Sequence, residues 1–399
     1  MNLDLMMIDY GCGGFKRYAV SIVRELKRRA PQITIGAFYM SEQATGDALE
    51  GFDLSESLTK YDWNAQRVFD TYQPKAIVVF GHRIFDYMFT IEAHRRNIIV
   101  FNFQHGLYME HTVISELSTE SLAISLKKKR DKVWQYMKCL HYMGGSSLLH
   151  TLKTVLLFLK LRSLYAVINV QYGDLCHAEY SFVYGDYWKE YYAKQFMESG
   201  TEFVVVGYPE LEQSTEPVPH NAFSITNKPV LCYLAQTTVE DGLIEEKLMQ
   251  EFLAKLGELT ETFNLVMKYH PRSNRGMYQC LYKFAQQGCV IDWDNPNFPM
   301  ADAYIGHEST IIARAIDLTD KTIVCRLTKA RVSPFEEYTS YVATETSELA
   351  KIVNAAMGDH PLKGRKDLSE YVLHNKQEGS IVRTVDKILR IMRDKGETL

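Results

Sequence analysis

Two stretches in the second half of the chain decide the fold: residues 265–272 read LVMKYHPR, and residues 303–310 read AYIGHEST. Each begins with an apolar run typical of a buried β-strand and ends in polar residues that can hold an anion. The first ends in a lysine, a histidine and an arginine, and the second in a glycine turn followed by two hydroxyls. Two such ends on neighbouring strands predict a phosphate site.

The chain is long enough for two globular domains. It has 399 residues, of which 46% are hydrophobic, and a chain of this size usually forms more than one core. Its 45 basic and 49 acidic side chains leave a formal net charge of -4. No overall field would therefore draw the chain to nucleic acid or to a membrane, and any such attraction has to be local.

The cysteines predict neither a disulfide framework nor a zinc site, because their number is odd and no pair has the CxxC spacing. The seven are Cys12, Cys139, Cys176, Cys232, Cys280, Cys289 and Cys325. Scattered cysteines of this kind indicate reduced thiols in a cytoplasmic protein. The first ten residues also lack the basic segment and the cleavage site of a signal peptide.

Residues 1–110 alternate apolar runs with helical patterns, which is typical of βαβ units and a parallel sheet. Between the first strand and the first helix, residues 11–14 read GCGG. Gly13 and Gly14 either form a tight turn or let the backbone approach a donor or an acceptor. The incomplete GxGxxG spacing makes this a weak dinucleotide fingerprint.

A general base is expected at the end of a strand in the first half. Residues 98–103 read IIVFNF, and His105 follows at the carboxyl edge, where open α/β sheets place their ligands. A histidine there either takes a proton near neutral pH or only hydrogen-bonds its own loop. Glu110, with His111 beside it, is a second candidate for the base.

Residues 112–175 interrupt the alternation and form the one basic region. Between Val113 and Ile168 there are nine Lys or Arg against three acids. The apolar run at 148–162 is too interrupted by charge to span a bilayer. The segment is predicted to be an inserted helical hairpin, which either lies on anionic lipid or packs on the protein with its lysines in solvent.

A second α/β series begins at Pro229, after a polar and aperiodic stretch. The predicted organisation is two Rossmann-like α/β domains that face each other across a central cleft. Their expected bounds are 1–212 for the N-terminal domain, 213–228 for a linker, 229–345 for the C-terminal domain and 346–399 for helices packing across both domains.

Polar residues of the second domain are predicted to meet at the cleft. Lys268, His270 and Arg272 follow one strand, where His270 either donates to a phosphate oxygen or serves as a structural cap. Ser309 and Thr310 open a helix, where hydroxyls and exposed N–H groups bind anions or simply cap the helix.

Further contacts to the donor or the acceptor are expected from residues around these strand ends. Gly306 supplies the turn before the helix, and Glu308 lies next to the two hydroxyls. After the first strand of the domain, Gln236 and Thr237 could touch a sugar or a nucleotide. Glu240 and Asp241 have two open interpretations: they contact the ligand, or they are acids of a first helical turn that complement its dipole.

These residues resemble motifs of a known enzyme group. Lys-x-His-Pro-Arg, followed by Gly-x-x-Ser-Thr at a helix start, is similar to the HP and Ser-Ser/Thr motifs of bacterial GT-B sialyltransferases, polysialyltransferases and capsule Kdo-transferases. Together with a His-Gly in the first domain, the pair also resembles the CDP-glycerol glycerophosphotransferases of teichoic acid synthesis. The resemblance implies a GT-B fold in which His270 assists departure of the donor's phosphate while Ser309 and Thr310 hold it.

The chain departs from this group at the general base. The sialyltransferases take the base from an Asp/Glu-Asp/Glu-Gly motif in the first domain, whereas the only such triplet here, Glu240-Asp241-Gly242, falls in the second. We therefore expect His105, or Glu110, to deprotonate the acceptor. Glu308 also has no acid seven residues after it, so the acidic pair that grips the ribose in many UDP-sugar enzymes is not evident.

The sequence thus predicts a GT-B glycosyltransferase that moves a sugar from a nucleotide-activated donor to a bacterial capsule or lipopolysaccharide glycan. A CMP-linked sialic acid or Kdo-type keto-sugar acid is the expected donor, and an inverting displacement without cofactor or metal is the expected mechanism. Retention through a covalent carboxylate intermediate is the alternative mechanism. A CDP-polyol phosphotransferase, a sugar-nucleotide epimerase and a non-catalytic glycan-binding subunit are the alternatives.

The expected partners follow from this function. They are the nucleotide sugar and a glycan or lipid-linked glycan acceptor, with no nucleic acid. The protein is expected in the cytoplasm, where the inner face of the membrane is a further candidate partner through the basic insertion.

Overall fold

The computed structural model describes residues 2–11, 15–40, 49–107, 122–196, 200–213, 217–223, 225–295, 297–327, 332–374 and 378–396. The chain folds into two compact units. Of the described residues, the first unit takes 2–106, 122–212 and 371–396, and the second takes 107 and 213–370.

A seven-stranded parallel sheet forms the centre of the first unit. Its strands are β1 (Leu5–Asp9), β2 (Ile35–Tyr39), β3 (Leu54–Ser57), β4 (Ala76–Phe80), β5 (Ile99–Phe103), β6 (Tyr180–Val183) and β7 (Glu202–Val205). They lie in the order β3-β2-β1-β4-β5-β6-β7. This is the doubly wound Rossmann order, whose direction reverses between β1 and β4, and ligands bind such sheets at that reversal.

Both faces of this sheet are covered. Every residue of β1 is buried, although its successive side chains point to opposite faces. Met6 and Ile8 join one apolar layer, and Leu5 and Met7 join the other. The helices that the chain supplies up to residue 213 are α1 (Val20–Arg29, preceded by a π-helical turn Phe15–Ala19), α2 (Ala65–Tyr72), α3 (Ile84–Arg95), α4 (Leu122–Met143), α5 (Leu148–Leu161), α6 (Leu164–Tyr172), α7 (Asp186–Gln195) and α8 (Pro209–Gln213).

The predicted insertion is present, and it contains three helices where a pair was expected. Cys139, Leu140 and Met143 of α4 are buried in the same apolar layer as residues of α3. Two capping residues separate the next two helices. Arg162 ends α5 with a left-handed backbone conformation. Ser163 then caps the start of α6, where its hydroxyl accepts a hydrogen bond from the Ala166 N–H at 3.3 Å. Among the described helices, none is long and apolar enough to cross a membrane.

A six-stranded parallel sheet forms the centre of the second unit. Its strands are β8 (Val230–Leu234), β9 (Asn264–Lys268), β10 (Val290–Trp293), β11 (Ala303–Gly306), β12 (Thr322–Cys325) and β13 (Tyr341–Ala343). The order β10-β9-β8-β11-β12-β13 is again of the Rossmann type, with its reversal between β8 and β11. The helices of this unit are α9 (Glu246–Glu258), α10 (Ile311–Leu318) and α11 (Leu349–Met357), with a 3₁₀ segment at Arg275–Lys283.

The C-terminal helices predicted to pack across both domains divide between the two units. The helix α11 lies in the second unit, where Ile352, Val353 and Ala356 are buried beside β8 and β12 residues. The last helix, α12 (Ser380–Asp394), belongs to the first unit. Its apolar face shares a buried cluster with α1 and with one face of the seven-stranded sheet.

Candidate functional site

A cavity of about 440 Å³ opens at the reversal point of the second sheet. Its wall is formed by the last residue of β8 and the residue after it, by the end of β9 with the loop that follows, and by the start of α10. The lining residues are Leu234, Ala235, Lys268, Tyr269, His270, Pro271, Ser273, Arg275, Asp294, Ser309 and Ile311. The two stretches singled out in the sequence therefore meet at one cavity.

Lys268 places a buried amine in the wall of this cavity. It is the last residue of β9 and only 9% exposed. Its Nζ donates to the carbonyl oxygen of Asn295 at 2.6 Å, which uses one of the three ammonium protons. Burial, the largest cause, lowers the pKa of Lys268, because a desolvated ammonium is less stable than the neutral amine.

His270 presents a neutral imidazole with a defined tautomer. Burial, and next the neighbouring Arg272 guanidinium, lower the pKa of His270. Its Nδ1 accepts a hydrogen bond from the Arg272 N–H at 3.1 Å. Since Nδ1 is the acceptor, the neutral ring carries its proton on Nε2, which is the atom able to donate to a ligand oxygen.

Arg272 lies in an ion pair. Its Nη2 is 3.4 Å from Asp241 Oδ2 and 3.2 Å from Thr237 Oγ1, and the side chain is 67% exposed. The Thr237 hydroxyl in turn donates to Asp241 at 2.6 Å. The predicted role of Arg272 as a phosphate ligand stays a prediction, and it would require this pair to open.

Glu240 and Asp241 connect two loops of the second unit. Glu240 accepts a hydrogen bond from the Asn274 N–H at 2.7 Å, and Asp241 pairs with Arg272. Both acids precede α9, which begins at Glu246. Their contacts with the loop after β9 differ from the dipole-complementing role considered in the sequence.

Gln236 occupies part of the anion site predicted at the start of α10. Its Oε1 accepts hydrogen bonds from the N–H groups of Glu308 and Ser309, both at 3.1 Å. Two donors expected to face a phosphate are thus already satisfied. The Ser309 side chain still borders the cavity, and in the described part of the chain Thr310 makes no side-chain capping bond to α10.

His307 lies two residues before Ser309 of the cavity wall and was not among the predicted site residues. It is 3% exposed, its Nδ1 lies 2.9 Å from the Cys325 carbonyl oxygen, and its Nε2 lies 2.9 Å from the Tyr233 hydroxyl. A carbonyl oxygen only accepts, so Nδ1 carries the proton and Nε2 accepts from Tyr233. These two contacts hold the turn between Gly306 and Ser309 against β8 and β12. In the sequence, this residue is marked only as the polar one that follows an apolar run, which is a weak signal for such a role.

The pH dependence of stability is expected to report on His307. Burial lowers the pKa of His307 to about 4, whereas an unfolded histidine titrates near 6.5. The unfolded chain therefore takes up a proton first as the pH falls, and stability that is present above pH 6.5 is lost toward pH 4. For this group alone the loss between pH 7 and pH 5 is roughly 2 kcal/mol.

The measurement is urea unfolding at several pH values with the parent protein and the His307→Asn variant. The variant is expected to be less stable at pH 7 but to lose less stability on acidification. Parallel pH profiles for the two proteins would contradict the assignment of a neutral, buried His307.

In the first unit, His105 follows β5 and its side chain is exposed. Its Cβ lies 3.7 Å from the position that a Cβ on Gly81 would take, so the ends of β4 and β5 are adjacent here. Gly13, Gly14, Glu110 and His111 lie outside the described residues. His105 therefore remains the predicted base for which the structure gives a position.

An ionic cluster with two buried carboxylates lies in the first unit and was not predicted from the sequence. Arg83 Nη2 lies 2.8 Å from Asp9 Oδ1, and Arg83 Nε lies 2.9 Å from Asp86 Oδ2. Asp9 ends β1 and Arg83 precedes α3, so the cluster lies at the reversal point of the first sheet. The two carboxylates, Asp86 first, outweigh burial and raise the pKa of Arg83. The side-chain contacts tie these strand ends together.

Within residues 2–396, apart from the gaps given above, no group of three or more His, Cys, Asp or Glu side chains is placed to hold a metal ion.

The fold resembles known structures over the whole chain. A proposed UDP-N-acetylglucosamine 2-epimerase from Listeria monocytogenes superposes with a TM-score of 0.57 and 12% identity, covering 100% of this chain and 98% of that one. The UDP-GlcNAc 2-epimerase from Methanocaldococcus jannaschii gives 0.53 and 12%, and the calicheamicin glycosyltransferase gives 0.53 and 13%, each covering 98% of this chain and 99% of the other. No protein-family model and no curated protein matches the sequence.

These likenesses confirm the predicted class of fold. Two parallel sheets of Rossmann order with flanking helices, matched along their full length by GT-B proteins, define a two-domain GT-B α/β fold. At 12–13% identity the likeness concerns the fold, and the chemistry has to be argued from the site.

Proposed function

We propose that the protein is a glycosyltransferase that uses a nucleotide-activated sugar. The observation that carries the proposal is that Lys268 and His270, at the end of β9, line one cavity with Ser309, at the start of α10, at the reversal point of a Rossmann sheet. A cation, a neutral imidazole donor and a hydroxyl suit the phosphate of a departing nucleotide, whose negative charge grows as the glycosidic bond breaks. The structural neighbours support this proposal, since they include a UDP-GlcNAc 2-epimerase and a glycosyltransferase.

The proposed reaction is a direct displacement. A base in the first domain, His105 or Glu110, takes the proton of the acceptor hydroxyl, whose oxygen attacks the anomeric carbon as the bond to the phosphate breaks. Lys268, His270 and Ser309 stabilise the charge left on the nucleotide, and Thr310 and Arg272 are further candidates for this role. We propose that these groups serve without a metal or cofactor, and that one displacement inverts the anomeric centre.

The donor we propose is a CMP-linked keto-sugar acid of the sialic acid or Kdo type. Support comes from the His270-Pro271 and Ser309-Thr310 pairs, which resemble those of the bacterial sialyltransferase group and which both contribute to the cavity. Many UDP-sugar enzymes have a second acid seven residues after the first, and this sequence has no acid seven residues after Glu308. The acceptor would be a capsule or lipopolysaccharide glycan, assembled at the cytoplasmic face of the inner membrane.

A sugar-nucleotide epimerase is the second candidate. It is favoured by the full-length match to 2-epimerases, including one from Neisseria meningitidis bound to UDP-GlcNAc, which superposes with a TM-score of 0.51 and 12% identity. The two functions differ in their need for an acceptor: conversion of UDP-GlcNAc by the purified protein alone would favour the epimerase.

The thermal stability of the protein is expected to rise with CMP. A ligand that binds only the folded state stabilises it by about 3 kcal/mol at a hundredfold excess over its Kd. The measurement is a thermal-shift screen with CMP, CDP, UDP, GDP and dTDP at equal concentration. If CDP gives the largest shift, the proposed donor would have to be a CDP-polyol. If UDP gives the largest shift, the epimerase would be favoured. No shift with any of the five would refute the proposed nucleotide site.

A further inference from the structure

The helix α5 carries its apolar side chains on the outside. Five leucines of this helix are between 58% and 80% exposed: Leu148, Leu149, Leu152, Leu156 and Leu159. At 100° per residue they fall within one arc of about 100° on the helix surface. An ordinary surface helix turns polar residues outward over such an arc, and its leucines face the core.

The side of α5 that faces protein is held by polar contacts. Thr154 is buried, and its hydroxyl exchanges hydrogen bonds with the Gln171 side chain of α6 at 2.9 and 3.1 Å. The His150 ring is 2.8 Å from the Tyr172 hydroxyl, and the Thr151 hydroxyl is 3.1 Å from the ring of His141 in α4. The helix is therefore anchored to its neighbours by hydrogen bonds while its leucines face solvent.

The charges around this leucine face have one sign. Lys153 and Lys160 are both exposed and lie at the border of the leucine arc. Between Lys132 and Gly173 the sequence contains five Lys or Arg and no Asp or Glu, although the whole chain has a net charge of -4. An apolar strip bordered by cations is complementary to a surface that is apolar inside and anionic at its boundary.

We propose that the leucine face of α5 binds the surface of an anionic lipid bilayer. The leucines enter the boundary of the acyl chains, and Lys153 and Lys160 lie at the level of the lipid phosphates. With 14 residues, α5 is too short to span the bilayer and lies in its plane. Pairing of this face with a second copy would bring lysines against lysines, which disfavours a symmetric dimer. The leucine face belongs to the first unit, so this proposal does not depend on the nucleotide site proposed in the second unit.

The test is co-sedimentation of the full chain with vesicles of phosphatidylcholine alone and of phosphatidylcholine with phosphatidylglycerol. Binding is expected to the anionic vesicles only and to weaken with added salt. The combined variant Leu152→Gln, Leu156→Gln and Leu159→Gln should lower the partition coefficient at least about tenfold, because it removes apolar area from the face. Lys153→Glu and Lys160→Glu should each lower it roughly fivefold or more.

The matched control is the double variant Ile225→Gln and Leu362→Gln. These residues are 58% and 50% exposed and lie in the second unit, so their replacement should leave vesicle binding unchanged. Far-UV circular dichroism identifies any variant that does not fold, and the nucleotide screen on the same samples keeps this test separate from that of the proposed function.

Three results would overturn the proposal. The first is that the parent protein does not bind anionic vesicles, and the second is that the control variant loses binding as much as the leucine variant. The third is a concentration-dependent dimer in light scattering that the leucine variant abolishes without a change in vesicle binding. That result would assign the face to contact between copies of the chain.

Discussion

Replacing His270 with alanine is expected to weaken nucleotide binding by roughly ten- to a hundredfold, the usual effect of losing a hydrogen bond to a charged group. If the protein is a transferase, kcat should fall further, by about a hundred- to a thousandfold. The reason is that the His270 Nε2–H would donate to a phosphate oxygen whose charge increases in the transition state. Binding is measured by isothermal titration calorimetry with the nucleotide that gives the largest thermal shift.

Two conservative variants separate this role from a structural one. In His270→Asn, the side-chain oxygen can still accept the Arg272 N–H that Nδ1 now accepts, but the donor near Nε2 is lost. In His270→Gln, the amide nitrogen can reach the place of Nε2 and donate. Recovery of binding in the glutamine variant alone supports the donor role, and recovery in the asparagine variant alone would assign His270 to loop structure.

A remote histidine gives the control for loss of the side chain itself. His360 lies in the second unit and is exposed, so His360→Ala should bind nucleotide like the parent protein. Unchanged affinity in His270→Ala as well would refute the assignment of the cavity as the nucleotide site.

Much of the fold could be predicted because the buried strands of parallel sheets are continuous apolar runs. All residues of β1, β4, β8 and β9 are buried, and each of these strands is a short apolar run of the kind that predicts a buried strand. The strand β3 could not be predicted, because its sequence, LSES, is polar and only half-buried at the sheet edge. The strand β13 could not be predicted either, because three residues are too few for a pattern.

The part of the candidate site that lies at the ends of strands could be predicted from the sequence. Lys268 and Ser309 lie at one cavity because parallel strands bring their carboxyl ends to the same edge. The pairing of Arg272 with Asp241 could not be predicted, because 31 residues separate the two in sequence. The same holds for Gln236, whose hydrogen bonds to Glu308 and Ser309 depend on the packing of β8 beside β11.

Replacing Gly207 with alanine is expected to destabilise the first unit by roughly 2–5 kcal/mol, since left-handed backbone strain and overpacking add. Gly207 has φ +93°, which favours glycine, and a Cβ there would lie 2.5 Å from the Leu373 carbonyl oxygen and 2.6 Å from Arg383 Nη2. Arg383 donates to the Val206 carbonyl oxygen at 2.9 and 2.6 Å. The methyl group would therefore separate the segment before α12 from the strand end that it covers.

The measurement is urea unfolding followed by tryptophan fluorescence. Trp188 is suited to report on this region, since its indole N–H donates to the Tyr371 carbonyl oxygen at 2.7 Å in the same segment. Gly200→Ala is the matched control, because Gly200 has φ +82° but nothing within 4 Å of its Cβ position. That variant bears the backbone strain alone, so it should lose only about 1–2 kcal/mol. Equal losses in the two variants would mean that the contact between residue 207 and the segment before α12 contributes nothing to stability.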